Sequence, residues 1–258
     1  MVCLLLTLTG CSAPSSQDQP PAAGTAPSVT PSPSPDPAPR VGQCHRLTWD
    51  QAVSPVHEGR AVPCRTAHTA QTYYVGSLRL GRLTVDAAPV QERVARACTR
   101  RLGAHVGADQ RALRLTMVQP IWFTPSLEQV DLGADWFRCD VVALEGHEQL
   151  RRLPRQTRGI ATDPAVAMCG TAAPGSAGFQ RVACARAHQW RAVASIDLPG
   201  DRYPAEGAGL DALTNACRDA ARDLAQDPLN LRWSQELPTR AQWRAGRTYG
   251  LCWMPASR

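Results

Sequence analysis

One ordered set of residues occurs twice along this chain, and it limits the fold more than any other feature. Val62-Pro63-Cys64-Arg65-Thr66-Ala67-His68 recurs as Val182-Ala183-Cys184-Ala185-Arg186-Ala187-His188. A cysteine precedes each motif, Cys44 and Cys169, and another follows, Cys98 and Cys217. Near the end of each half, Pro125, Gln129, Gly133 and Cys139 recur as Pro238, Gln242, Gly246 and Cys252 with identical internal spacing. So many ordered matches point to a duplicated domain. A chain of 258 residues suffices for two domains of roughly 100–150 residues, each with its own core.

Both halves carry the same element pattern. In Pro89–His105, Val90, Val94, Cys98 and Leu102 share one helical face, and proline suits the first turn. Leu210, Leu213, Cys217, Ala221 and Leu224 do the same in the second half, where Asp227-Pro228 stops the helix. Strand-like runs lie around these helices at 72–78, 115–123, 136–144, 191–198 and 248–254. The expected fold is α+β, with two tandem related domains, each a small antiparallel sheet with one main helix packed on it. Their expected bounds are 41–148 and 164–258, joined by a linker at 149–163.

Residues 2–9 form an apolar run ending in Leu8-Thr9-Gly10-Cys11. It is far shorter than the roughly 20 residues a membrane-spanning helix needs, but it suits the core of a signal peptide. Leu-Thr-Gly-Cys resembles a lipobox, in which Cys11 takes a diacylglyceryl group and becomes the mature N-terminus. The reading for 1–11 is therefore a lipoprotein leader that puts the protein on the extracytoplasmic face of a membrane. No basic residue precedes the apolar run, which leaves the start site open to lie upstream of Met1. Residues 12–40 follow with nine prolines and otherwise mostly Ala, Ser, Thr and Gln. Such a segment is expected to be a disordered, polyproline-like stalk reaching on the order of 90 Å at about 3.1 Å per residue.

Apart from Cys3 in the leader and Cys11, eight cysteines remain, four in each half. An even number per domain in an exported chain argues for disulfides. Four cysteines allow three pairings, and sequence alone does not choose among them. Geometry favours Cys44 with Cys64 and Cys169 with Cys184, which flank probable hairpins. It likewise favours Cys98 with Cys139 and Cys217 with Cys252, a helix cysteine on the packed face meeting one on the covering strand. Each bridge would contribute roughly 3–4 kcal/mol in the chain-entropy model. Zinc is the competing use, since Cys64 and His68, like Cys184 and His188, stand four apart. The specific C-x-x-C or H-x-x-x-H elements are absent, so neither metal nor cofactor is expected.

Every one of the 28 basic residues is arginine, which fits a G+C-rich genome better than a selected surface, and the net charge is +6. The excess sits in the second half and would draw it weakly to anionic headgroups or wall polymers over a Debye length of about 8 Å. Scattered arginines behind an export signal argue against nucleic acid. No nucleophile elbow, HExxH, phosphate loop or S-x-x-K is present, so the reading is non-enzymatic. The candidate binding residues are His68 and His188, retained in both copies, and Trp136 and Trp243 among the aromatics near each half's end. The alternative for the histidines is a structural imidazole bridging backbone groups. For the aromatics it is a place in the sheet core.

The motifs at Val62–His68, Cys98 and Pro125–Cys139 resemble the septum-formation domain of actinobacterial envelope proteins. Weaker counterparts lie in the second half, which departs at Ala183. The resemblance implies an extracytoplasmic location and a link to cell division, with no catalytic residue to carry over. The leading expectation is an envelope lipoprotein whose domains bind another envelope protein or a wall polymer. Two alternatives stand beside it: a glycan- or small-molecule-acting enzyme using His68, and an assembly partner of a membrane transporter or wall synthase.

Overall fold

The computed structural model describes residues 34–57, 59–198, 202–204 and 207–256. Cys11, the leader and residues 12–33 of the expected stalk lie outside the described residues.

The first half contains β1 (Cys44–His45), α1 (Trp49–Ala52), β2 (Ala70–Ser77), α2 (Ala88–Val106), α3 (Gln110–Leu113), β3 (Val118–Phe123), α4 (Leu127–Asp131), β4 (Trp136–Gly146) and β5 (Gln149–Leu150). The strands form an antiparallel sheet in the order β1-β2-β4-β3, with β5 folded back on the end of β4. The apolar stripe of α2, Val90, Val94, Cys98, Leu102 and Val106, is wholly buried against this sheet. Gly107 ends the helix at φ 74°, a left-handed cap in which its N–H reaches the Gly103 carbonyl.

β4 is buried along most of its length because both of its faces are covered. Phe137, Cys139, Val141 and Ala143 join the α2 core. The alternate residues Arg138, Asp140 and Val142 point to the other face, where Leu47, Ala52, Ala70 and Phe123 close a small second core around Val142.

The second half repeats the plan with β6 (Met168–Gly170), β7 (Arg181–Ala183), β8 (Trp190–Asp197), α5 (Ala208–Leu224), β9 (Ser234–Glu236), α6 (Arg240–Arg244) and β10 (Tyr249–Pro255), in the order β7-β6-β8-β10-β9. The registers correspond residue for residue. Thr72 faces Asp140 and Tyr74 faces Cys139, with a bulge between, while Ala192 faces Trp253 and Ala194 faces Cys252, again with a bulge. On the next strand Trp122 faces Cys139 and Gln235 faces Cys252.

Four disulfides hold this arrangement: Cys44–Cys64, Cys98–Cys139, Cys169–Cys184 and Cys217–Cys252. These are the pairs that the hairpin and helix-on-strand geometry favours.

The retained Pro, Gln and Gly turn out to form one local device. Ser126 and Thr239 cap α4 and α6, accepting from the backbone N–H of Gln129 and Gln242. Gly133 and Gly246 then end these short helices at φ 104° and 91°, which a residue with a Cβ adopts only under strain.

The segment 149–163 is laced to the first sheet and is no free tether. Leu153 and Ile160 are buried, and the Leu153 N–H donates to the His68 carbonyl at 3.0 Å. Thr157 donates from its N–H and hydroxyl to Gln71 Oε1. The halves also touch directly: Thr116 and Ala167 form an antiparallel bridge, Met117 and Leu144 pack with Trp253 and Met168, and Arg114 reaches Asp197 at 2.5 Å. The described residues accordingly cluster as one compact unit.

Candidate functional site

The alternation of β4 places Arg138 and Asp140 side by side on the face away from α2. Both are buried, at 3% and 0% exposure, in the low-dielectric space beneath residues 45–57. Arg138 Nε lies 3.1 Å from Asp140 Oδ2 as an ion pair, though without the alignment of a hydrogen bond. Thr72, opposite Asp140 on β2, donates its hydroxyl to Asp140 Oδ1 at 2.7 Å. The guanidinium also stacks over Phe123, 4.5 Å from the ring centre, and its Nη2 donates to His57 Nδ1 at 3.0 Å. His45, at the end of β1, completes the group with Nε2 3.4 Å from Thr72 Oγ1 and its ring 5.7 Å from that of His57.

Burial, and then the Arg138 charge, pushes the His45 imidazole down to about 3, so it is neutral at any physiological pH. The same two causes lower His57. Burial raises the Asp140 carboxyl, while Arg138 and Thr72 pull it back toward ionisation. Arg138 is likewise lowered by burial and supported by Asp140. The cluster therefore holds a buried Arg138–Asp140 pair flanked by two imidazoles whose charged forms burial disfavours.

This cluster floors a cavity of about 330 Å³. Gln43, His45, His57, Trp136 and Arg138 line it, and so do residues 36–40 at the end of the proline-rich segment. That strap is fixed where the Asp36 N–H donates to Gln129 Oε1 at 2.6 Å and the Arg40 N–H to Gln43 Oε1 at 2.9 Å. A larger groove of about 890 Å³, to which His188 and Arg191 contribute, contains none of the buried ionic or imidazole groups.

Among the described residues the second sheet has a different arrangement at these positions, with a part-buried group of Glu236, Arg181 and Arg247. By register Thr72, Asp140 and Arg138 correspond to Ala192, Trp253 and Leu251, and Phe123 corresponds to Glu236. Trp253, fully buried, fills the space instead. Its indole N–H donates to Glu236 Oε2 at 3.2 Å, and Glu236 also pairs with Arg181.

Comparison with protein families matches septum formation over residues 41–252, as one stretch across both sheets. The chain belongs to the septum-formation family. Comparison with curated proteins and with solved structures finds no match. Among the described residues, no helix is long and apolar enough to cross a membrane.

Among the residues that carry the likeness to the septum-formation family, the two histidines sit in matching turns. His68 is 1% exposed and its Nδ1 meets the Thr66 carbonyl at 2.8 Å; His188 meets the Arg186 carbonyl at 2.7 Å in the matching turn. Cys169 Sγ, Cys184 Sγ and the His188 ring lie within 4.8 Å of one another, but the two sulfurs are bonded together, and a disulfide offers no thiolate to a metal. Of the aromatic candidates, Trp136 lines the cavity. Trp243 packs edge-on against Tyr203 at 6.0 Å, beside the Leu213 core.

Sequence reading passed over His45, His57, Thr72, Arg138 and Asp140. They come from four separate segments and form no motif. One signal was present: two opposite charges two apart, Arg138 and Asp140, inside the otherwise apolar run 136–144.

Proposed function

We propose that this member of the septum-formation family is a non-enzymatic envelope lipoprotein, anchored through Cys11, that works by binding a wall or envelope component in the cavity over Arg138. The observation behind this reading is that the fully buried Arg138–Asp140 pair has Leu251 and Trp253 at the matching positions of the second sheet, whose ionic group, Glu236 with Arg181 and Arg247, is only part-buried. The retained residues build both halves, so specificity belongs where the halves part. Burying an ion pair rarely raises stability over an apolar replacement, and Trp253 is such a replacement within the same chain. Family membership supports a role in septum formation or cell division. The burial of His68, and its contact with the Thr66 carbonyl, favour the binding reading over an enzymatic one built on that imidazole.

Two measurements test the reading. Metabolic labelling with a lipid precursor is expected to mark the wild type and not Cys11→Ala. A strain carrying Trp136→Ala at wild-type protein level is expected to form misplaced or malformed septa. Normal septa in that strain would remove the cavity from the division role.

A further inference from the structure

The stretch 149–162 contains four arginines and no Asp or Glu. It lies along the first sheet as a band whose fixings alternate with its charges. Leu153 is buried with its N–H on the His68 carbonyl, the Arg155 carbonyl accepts from Gln71 Nε2 at 3.3 Å, and Thr157 is buried with its hydroxyl on Gln71 Oε1. Arg152, Arg155 and Arg158 are exposed between or beside these fixings. Two more exposed arginines belong to the same edge. Arg46 Nε donates to the Ala67 carbonyl at 3.2 Å, next to the His68 carbonyl that holds Leu153. Arg65 adjoins Cys64, whose sulfur lies 3.7 Å from the Gln71 nitrogen that holds Arg155.

None of these five arginines forms an ion pair among the described residues, whereas Arg151 of the same band is answered by Glu145 at 2.7 Å. Their field is felt behind the band: burial, and then the Arg158 charge, lowers the His105 imidazole. The result is a fixed row of like charges with no internal counter-charge.

The surroundings select the kind of anion. A bilayer would seat an apolar side chain, a folded acidic protein would need an anchor at the centre of its interface, and single-stranded nucleic acid would stack on aromatic planes. None of the exposed large apolar residues falls in 59–75 or 149–162, and 149–162 holds no aromatic residue. A linear polymer with a charge on each unit needs none of these. Each guanidinium can take one anionic group as a fork, and docking releases the counterions of both partners. Arg152, Arg155 and Arg158 stand three apart, so successive Cα atoms lie within about 11 Å of one another, a reach that consecutive charged units of a chain can follow.

We propose that Arg46, Arg65, Arg152, Arg155 and Arg158 form a docking track for a linear anionic polymer of sugar or polyol units carrying phosphate or carboxylate. None of the five lines the cavity over Arg138, so the track goes beyond the binding reading above and stands or falls apart from it.

The test is calorimetric titration of the full chain, with Cys11→Ser to keep it free of lipid, against poly(glycerol phosphate) and polygalacturonate. At least one polymer is expected to bind, and the tighter of the two identifies phosphate or carboxylate as the anion. Log affinity is expected to fall against log salt with a slope of roughly −3, from about 0.7 per contact over four or five contacts. The triple variant Arg152→Gln, Arg155→Gln, Arg158→Gln is expected to lose about tenfold or more in affinity with an unchanged unfolding midpoint. A charge-matched control at exposed arginines elsewhere, Arg82→Gln, Arg222→Gln, Arg244→Gln, is expected to lose less than about threefold.

Binding of neither polymer at low salt overturns the proposal. So does an equal loss in the two triple variants, which would make the attraction one of net charge. Tighter binding of a thymidine oligonucleotide, or of phosphatidylglycerol vesicles in a manner abolished by the first triple variant, would replace the polymer with another partner. Glycerol phosphate or galacturonate binding as tightly as its polymer would remove the track. Septa in Trp136→Ala report on the cavity alone and leave this outcome untouched.

Discussion

Asp140 and Trp253 occupy the same register position in two sheets built on one plan. Asp140 faces Thr72 and accepts its hydroxyl hydrogen at 2.7 Å, whereas Trp253 faces Ala192 and fills the space with an indole. One position therefore serves as half of a buried ion pair in the first sheet and as apolar core in the second.

Asp140→Ala leaves the Arg138 guanidinium buried without a counter-charge and is expected to cost about 3–5 kcal/mol. Replacing both, Arg138→Leu with Asp140→Leu, is expected to cost less than the single change. Urea unfolding followed by tryptophan fluorescence measures both. A single-variant loss below about 1 kcal/mol would mean that the pair is hydrated in solution.

Acid should weaken the fold through His45. Its imidazole titrates at about 3 in the native state against 6.5 when unfolded, so between these values the unfolded chain binds the extra proton. Stability is then full above about pH 6.5 and falls as pH drops toward 3, by up to about 1.4 kcal/mol per pH unit. His57, also lowered by burial and Arg138, acts in the same direction. Asp140, raised by burial, takes its proton earlier in the native state and opposes the loss at the acid end. His45→Gln is expected to flatten the slope in denaturation series between about pH 7 and 4.5; an unchanged slope would assign it elsewhere.

The disulfides should rank by the loop they close. Cys98–Cys139 spans 41 residues and Cys169–Cys184 spans 15. Removing either pair is expected to cost about 2–4 kcal/mol, with the longer loop costing about 1 kcal/mol more on the chain-entropy account. Comparing paired Cys→Ala variants by thermal unfolding checks the order.

Arg114 and Arg111 both pair with Asp197, yet they should differ. Arg114 is 13% exposed, and its guanidinium lies 4.0 Å over the Tyr249 ring; Arg111 is 72% exposed. Arg114→Ala is expected to lower stability by about 1 kcal/mol, mainly through the ring contact and stem packing. Arg111→Ala should be near silent. The Arg114 bond also holds the Asp197 carboxyl below the usual carboxylate range, so the pair persists above the ordinary aspartate pKa and fails as pH falls through that lowered value. Chemical denaturation at neutral pH separates the two variants.

How much was legible follows from which forces leave a local trace. The α2 stripe at Val90, Val94, Cys98 and Leu102 is set by helical period, and α2 runs from Ala88 to Val106 where Pro89–His105 was expected. The sheet runs were similarly clear, because alternation and β-branched residues are local signals. The packing of 149–163 was not: Thr157 is ordered by Gln71, far back in the chain, and nothing near Thr157 announces it. The Arg138–Asp140 cluster was hidden by the same logic. Repetition drew attention to His68 and His188, which both meet a carbonyl of their own turn, and away from positions where the copies differ. Setting Asp140 against Trp253 would have found the site, but that alignment needs the register.

Residues 36–40 carry a practical consequence for anyone trimming the molecule. The family match begins at residue 41, so a chain cut at that boundary would keep every strand, helix and staple and still arrive with one side of its chamber missing. Affinities measured on such a fragment would describe an open dish. Protease nicking or mechanical pull just upstream of the first β-strand would open the cavity before it disturbed the fold.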